Sequence, residues 1–243
     1  MNYQGLKPMK PTLFLTFLIL LICSRGYSND FFSQADTFLK MHVKNGRVAY
    51  AAIKANPQQL NALLNQIAAY DLVKANVVTQ VAFMINAYNI LTIKAIIDEY
   101  PVKSPMNINN FFDKKIYTIS GKKMSLNQLE KEKLYPLAND TRLHFVLVCA
   151  AISCPKLANF AYVPDKLEEQ IDSITRKSLN DCDFIKVEGE KFRLSKIFNW
   201  YSTDFNGNGK NVIDFINDYR ELKLVKKGAL RYYSYNWDLN DQK

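Results

Sequence analysis

The longest apolar stretch of the chain outside its N-terminal segment lies at residues 78–100. Its hydrophobic side chains would cover every face of a helix, which is typical of a helix in the middle of a domain. Pro101 ends the predicted helix. Asn86 and Asn89 lie three residues apart, on one face. Because a buried amide needs hydrogen-bond partners, we interpret this pair as anchors for a neighbouring loop, with direct contact to a substrate as the alternative.

The other hydrophobic patterns predict shorter elements on both sides of this helix. Helical spacing indicates helices at residues 31–44, 57–68, 125–135, 164–179 and 211–219. Ser125 and Gln128 are expected to form a capping box at the start of the third of these helices, and Pro136 is expected to end it. Alternating or β-rich stretches indicate strands at 116–119, 123–124, 143–149, 184–187, 191–194 and 229–237. The expected fold class is therefore α+β, a helix-rich single domain with a buried central helix packed on a small, mainly antiparallel sheet.

The N-terminal segment has the three parts of an export signal. Lys7 and Lys10 precede an uncharged apolar block at residues 12–23, and a short small and polar stretch follows. We expect residues 1–28 to be a signal peptide and residues 29–243 to be one globular domain. The block is shorter than the roughly 20 residues of a membrane span, so no integral span is expected. The alternative is a lipid anchor at Cys23.

The formal net charge of +9 falls to about +6 without residues 1–28. The positive residues are scattered and carry no nucleic-acid motif, so we expect no nucleic-acid partner. No phosphate loop or dinucleotide turn is present, and we expect no cofactor. The predicted location is periplasmic or extracellular, with an unidentified peptide, protein or envelope component as the substrate.

One group of residues has the composition of a reactive site. Outside the predicted signal the cysteines are Cys149, Cys154 and Cys182, an odd number for an oxidising compartment. His144 begins the predicted strand that ends at Cys149, and an imidazole can activate a thiol. A carboxylate normally orients such an imidazole. Glu130 is the candidate for that role, and the alternatives are Glu132 and Asp140.

Three other interpretations of the cysteines stay open. Cys149 and Cys154 can form a disulfide across a short loop, or Cys149 can simply fill the core. The third interpretation is a metal site, but one histidine and two cysteines at this spacing lack a fourth ligand in any familiar pattern. On a regular strand His144 and Cys149 would point to opposite faces, which weighs against their pairing. The second histidine, His42, is expected to end the first helix.

Several motifs together resemble the domain of unknown function 547 family. They are HVKNGRVAYAAI (42–53), AFMINAYNILTIK (82–94), SLNQLE (125–130), LHFVLVCAAISCP (143–155), LSKIFNWYSTDF (194–205) and YNWDLN (235–240). The chain departs from the family pattern at three positions. Ala49 stands where the pattern has aspartate, Met84 where it has tryptophan, and Lys131 where it has histidine.

The resemblance implies a Glu–His–Cys constellation similar to that of thiol peptidases and transglutaminase-like enzymes. It would comprise Glu130, His144 and Cys149, with Cys154 as the alternative thiol. The leading hypothesis is a thiol-dependent hydrolase or acyl transferase of the cell envelope, in which Asn86 and Asn89 shape the substrate site. The alternative is a non-catalytic envelope binding or scaffold domain with structural cysteines.

Overall fold

The computed structural model of the protein describes residues 30–207, 211–225 and 229–242. The predicted signal peptide, its cleavage region at Ser28 and the candidate anchor Cys23 lie outside these residues. Helices predominate, and the strands form small separate sheets. The α+β class is confirmed.

The helices have the following bounds. Residues 30–42 form α1, followed by α2 (Tyr50–Ala55), α3 (Gln58–Ala69) and α4 (Val77–Glu99). A composite helix consists of α5 (Leu126–Gln128), a π-helix (Leu129–Leu134) and α6 (Tyr135–Ala138). Further along are α7 (Leu167–Asn180), α8 (Ile197–Trp200), α9 (Ser202–Phe205) and α10 (Val212–Tyr219).

Within the described residues the strands form three sheets. Two are hairpins, β1 (Val43–Lys44) with β2 (Arg47–Val48), and β3 (Tyr117–Ile119) with β4 (Lys122–Met124). The third has the order β5 (Ile185–Glu188), β6 (Lys191–Leu194) and β7 (Ala229–Tyr232). β5 and β6 are antiparallel and β6 and β7 are parallel. Most strand pairs are thus antiparallel, as expected.

Helix α4 is the centre of the core. It contacts α2, α3, α5 and the π-helix, and its residues from Val81 to Ile97 are almost all buried. By length and composition this helix, among the described residues, could cross a membrane, but 89% of its apolar window is buried inside the protein. Its all-round hydrophobicity is therefore satisfied by packing against the surrounding helices.

The turn at residues 45–46 fixes the N-terminal hairpin. Asn45 and Gly46 both have positive φ angles, 52° and 79°, as a two-residue hairpin turn requires. A side chain on Gly46 would meet the Cβ of Lys156 at 2.7 Å. The glycine therefore allows this turn to lie directly on the loop that follows Cys154.

Two local predictions are wrong. Residues 143–149 are not a strand: Thr141–Phe145 is a 3-10 helix and the rest is turn and loop. Asp140 caps this helix by accepting a 2.9 Å hydrogen bond from the backbone N–H of Arg142. The backbone beyond it bonds to the Asn89 side chain instead of a neighbouring strand. A short apolar run does not distinguish these outcomes.

The second wrong prediction is that Pro136 ends the helix that begins at the Ser125 cap. The capping box of Ser125 and Gln128 is confirmed, but the helix continues to Ala138. The N–H of Tyr135 bonds to the carbonyl of Glu130, five residues back. Pro136 then lies in the first turn of α6, where a missing N–H costs least. Asn139, with φ of 46°, ends the helix.

Candidate functional site

The candidate residues fall into a buried polar cluster around His144 and a disulfide at Cys149 and Cys154. The polar cluster comprises Tyr88, Glu130, Tyr135, His144, Tyr201 and Asp204. These side chains come from α4, from the π-helix and α6, from the 3-10 helix, and from α9 with the residue before it. Four separate segments of the chain therefore build this cluster.

His144 is the centre of the cluster. Its side chain is only 3% exposed, and its Nε2 lies 2.8 Å from Oδ2 of Asp204. The Tyr135 hydroxyl lies 2.7 Å from Nδ1. The same hydroxyl lies 3.0 Å from Nε2. In the neutral tautomer that carries its proton on Nε2, the ring donates to Asp204 and Nδ1 accepts from Tyr135, so both partners are satisfied. Burial lowers the pKa of His144, although the bond to Asp204 opposes the shift.

Three aromatic rings, those of Tyr135, Tyr201 and Phe205, pack at a tilt against this imidazole. The Tyr201 ring centroid is 4.0 Å from that of His144, and the Phe205 centroid is 5.3 Å away. Burial, with Glu130 and Asp204 nearby, raises the pKa of Tyr201 to about 12. The neutral tyrosines and the neutral imidazole therefore share an environment of low polarity.

Glu130 belongs to the cluster but is not the carboxylate that contacts His144. It is buried, and its carboxyl group is hydrogen-bonded to the Tyr88 hydroxyl. Burial raises its pKa, with the Tyr88 bond and Lys131 acting in the opposite direction. The alternatives named from sequence also lie elsewhere: Asp140 binds Arg142 at 2.7 Å, and Glu132 is exposed. Asp204 is the orienting carboxylate that sequence reasoning missed, although it lies in the LSKIFNWYSTDF motif.

Cys149 and Cys154 are joined in a disulfide, so neither sulfur carries a thiol in this state. The backbone N–H of Cys149 lies 3.0 Å from Sγ of Cys154. Cys149 is half-buried and Cys154 is buried. The odd cysteine is accounted for, because Cys182 is free and exposed.

Tyr235 connects the disulfide to the polar cluster. Its hydroxyl lies 3.2 Å from Sγ of Cys149 and 3.1 Å from Sγ of Cys154. Burial raises its pKa, and the neighbouring Tyr233 and Tyr201 contribute to that shift. No hydrogen bond joins His144 to either sulfur among the described residues; Tyr235 contacts the sulfurs, and Tyr201, which influences the pKa of Tyr235, contacts His144.

Both tryptophans of the chain pack at this place. The ring centroids of Trp200 and Tyr235 are 4.9 Å apart, and those of Tyr235 and Trp237 are 4.7 Å apart. Trp200 is 46% exposed. Since Tyr235 contacts both sulfurs, the tryptophans are placed to report on the redox state of the disulfide.

Asn86 and Asn89 hold loops through backbone contacts. Asn86 donates to the carbonyls of Ala82 and Tyr162, at 2.8 and 2.7 Å, and accepts from the Tyr162 N–H at 2.9 Å. Asn89 donates to the Val146 carbonyl at 2.9 Å and accepts from the Val148 N–H at 3.1 Å. The interpretation as loop anchors is confirmed. Their contact with a substrate stays a prediction.

A cleft of about 660 Å³ opens on the other side of the disulfide. Its walls include Cys154 and the residues on either side of it, the Gly46 turn, and residues from α7, β5 and the extended segment after β7. His144 and Glu130 do not line this cleft. The disulfide therefore lies between the buried polar cluster and an open cleft.

The family whose sequence model matches this chain is the one that its motifs resemble. Residues 72–179 match the sequence model of the family described as a protein of unknown function, DUF547. This segment is a DUF547 region. It contains Glu130, His144, Cys149 and Cys154, whereas Asp204 and Tyr235 lie beyond its end. Searches of curated proteins and of solved structures found no match.

Proposed function

We propose that this DUF547 protein is an exported thiol-dependent hydrolase or acyl transferase, and that the Cys149–Cys154 disulfide is the oxidised form of its reactive site. The observation that carries the proposal is the position of Tyr235. Its hydroxyl contacts both sulfurs, and the nearby Tyr201, whose ring packs at a tilt against His144, contributes to the raised pKa of Tyr235. These two neighbouring tyrosines support a common site for a nucleophilic cysteine and a basic histidine.

The acid–base part of the proposal rests on His144. A buried imidazole with a lowered pKa is a neutral base at neutral pH, as general-base catalysis needs. In our proposal Asp204, which contacts Nε2, orients the ring. Glu130 then has a different role: its buried carboxyl group is hydrogen-bonded to Tyr88 and holds that side chain in the cluster.

The proposed reaction begins with reduction of the disulfide by an external dithiol, which becomes oxidised while both protein sulfurs gain a proton. Cys149, the more exposed of the two, then attacks an acyl carbon as a thiolate, and its proton passes to His144. The leaving amine or alcohol takes that proton, leaving a thioester. Water or a second amine cleaves the thioester, and its proton returns to Cys149. Cys154 is the alternative nucleophile.

The second candidate function is a non-catalytic envelope binding or scaffold domain. The disulfide favours it, because a bond between Cys149 and Cys154 makes both cysteines structural unless a reductant acts on them. The internal pairing of both His144 ring nitrogens is also compatible with a purely structural histidine.

Thiol labelling distinguishes the two functions. In a Cys182→Ser background, which removes the exposed free thiol, the protein is reduced with a dithiol and treated with a chloroacetamide probe between roughly pH 5 and 9. Tryptophan emission follows the reduction. We expect Cys149 to react faster than a model thiol near neutral pH, and His144→Gln to remove that advantage. Cys149→Ser is the control for the site of labelling.

The scaffold function predicts the opposite result. The disulfide would then resist reduction in the folded protein, or both released thiols would react no faster than the model thiol at every pH. Either finding refutes the thiol-enzyme proposal, because a nucleophilic cysteine must reach its thiolate form near neutral pH.

A further inference from the structure

The cleft beside Cys154 carries an excess of positive charge. The charged side chains on its walls are Arg47, Lys156, Lys177 and Lys186, against Asp181 and Asp183. Lys156 and Asp181 neutralise each other, with Nζ and Oδ2 2.5 Å apart. Within the described ranges no carboxylate forms an ion pair with Lys177 or Lys186. Both are exposed, so their charges are available to a ligand.

One wall of the cleft includes a residue of an outer strand. In the three-stranded sheet β5 is an outer strand that pairs with β6, and Lys186 belongs to β5. An outer strand has unpaired backbone groups along one side, which can bond to an added extended segment. The ammonium group of Lys186 lies 5.5 Å from the Tyr233 ring centroid, which holds this charge against the cleft wall.

The floor of the cleft leads to the sulfurs. Cys154, Ser153 and Pro155 all line it, and the backbone N–H of Ser153 is bonded to the carbonyl of Asn236, which also lines the cleft. A chain segment lying along the β5 edge would thus pass the free lysines and end at the disulfide loop.

We propose that this cleft binds an acidic peptide segment in extended form and guides its acyl group to the Cys149–Cys154 pair. The proposal rests on the proposed thiol chemistry and names its substrate class. Carboxylates of the peptide pair with Lys177 and Lys186, while its backbone adds to β5. Positive charge on two sides of an open groove favours association with an anionic chain and makes it sensitive to salt.

Peptide binding tests the proposal without catalysis. A labelled peptide of alternating glutamate and alanine is titrated with the oxidised protein and followed by fluorescence anisotropy, beside a matched peptide with glutamine for glutamate. We expect the glutamate peptide to bind at least about tenfold more tightly, a difference that corresponds to about 1.4 kcal/mol. The difference should shrink as salt is added.

Charge reversal locates the binding site. The double variant Lys177→Glu, Lys186→Glu should lose about tenfold or more in affinity for the glutamate peptide. The control Lys122→Glu, Lys123→Glu makes the same change in net charge on the exposed β3–β4 hairpin and should bind like the unmodified protein. Circular dichroism of each variant confirms that it is folded.

Three results would overturn the proposal. They are equal binding of the two peptides, equal effects of the two double variants, and binding to phosphatidylglycerol vesicles in place of the peptide. Because the oxidised protein has no thiol at this site, these results do not depend on the enzyme proposal. Tight, cleft-dependent peptide binding with unreactive thiols would leave the cleft assignment standing and refute the thiol enzyme.

Discussion

Two groups of buried polar side chains in this protein differ in what they bind. Asn86 and Asn89 of α4 bond to backbone atoms of loops. His144 bonds to the side chains of Tyr135 and Asp204, and Glu130 bonds to Tyr88. The amides cannot titrate, whereas every member of the second group can hold or release a proton. The comparison separates residues that fix the chain from residues equipped for proton chemistry.

The two groups therefore stabilise the fold in different ways. Removing an amide leaves buried backbone groups without partners, which costs free energy at every pH. Removing a member of the His144 cluster changes groups whose charge depends on pH, so its effect on the free energy of unfolding should also depend on pH. Four predictions test this division.

The largest effect is expected for Asn86→Leu. The substitution leaves the buried N–H and carbonyl of Tyr162 unpaired, and at about 1–3 kcal/mol for each group the free energy of unfolding should fall by about 2–6 kcal/mol. Urea denaturation measures it. Asn61→Leu, on the exposed side of α3, is the control and should change stability by no more than about 0.5 kcal/mol. Similar losses for both variants would contradict the anchoring role.

The second prediction concerns the pH dependence of stability. Burial lowers the pKa of His144 from 6.5, so its contribution is complete above pH 6.5 and is lost as the pH falls through the lowered value. Burial raises the pKa of Glu130 from 4.5, so its contribution is complete below pH 4.5 and is lost as the pH rises through the raised value. Each slope can reach about 1.4 kcal/mol per pH unit.

Glutamine substitutions separate these two slopes. His144→Gln should flatten the loss of stability on the acid side of pH 6.5, and Glu130→Gln should flatten the loss above pH 4.5. Urea denaturation at a series of pH values measures both. Asn89→Gln, a change in a group that does not titrate, should shift the whole curve without changing its shape. Unchanged slopes in both glutamine variants would show that these groups are not the source of the pH dependence.

Much of the fold could be predicted from the sequence, because the signals were local. The all-round apolar pattern of α4 and the Ser125 capping box depend on residues next to one another in the chain. The hairpin across Gly189 is also local. The segment at 143–149 could not be assigned in this way, since its backbone partner is Asn89, more than fifty residues earlier. The prediction that Pro136 ends the helix was wrong because the turn before it is a π-helix.

The site was only partly predictable for the same reason. His144, Cys149 and Cys154 stood out because their residue types are rare in this chain and lie close together in sequence. Asp204 and Tyr235 come from distant segments, 60 and 86 residues from His144 and Cys149. Only tertiary packing brings them to these atoms, and aspartate and tyrosine are too common to attract notice alone.

A smaller effect is expected for Tyr135→Phe. The variant keeps the ring and removes the hydroxyl that donates to Nδ1 of His144, which should lower stability by about 1 kcal/mol at neutral pH. Because that bond favours the neutral imidazole, its loss should also raise the pKa of His144 toward 6.5, so that the acid-side loss of stability becomes smaller and ends at higher pH. Tyr117→Phe is the matched control, since its buried hydroxyl has no partner among the described residues. An unmoved pH profile would contradict the assigned tautomer.

The smallest effect on stability is expected for Asp204→Asn. This variant also distinguishes most sharply between a residue that supports proton transfer and one that only holds its neighbour in position. The amide oxygen can still accept from Nε2–H of His144, and Asp204 is 41% exposed, so the free energy of unfolding should change by no more than about 0.5 kcal/mol. If Asp204 orients a base, however, the negative charge stabilises the imidazolium that forms when His144 takes a proton. The variant should then lose the thiol reactivity of the reduced protein while remaining as stable as before. A variant with full reactivity would place Asp204 with Asn86 and Asn89, as a residue that only holds its neighbour in position.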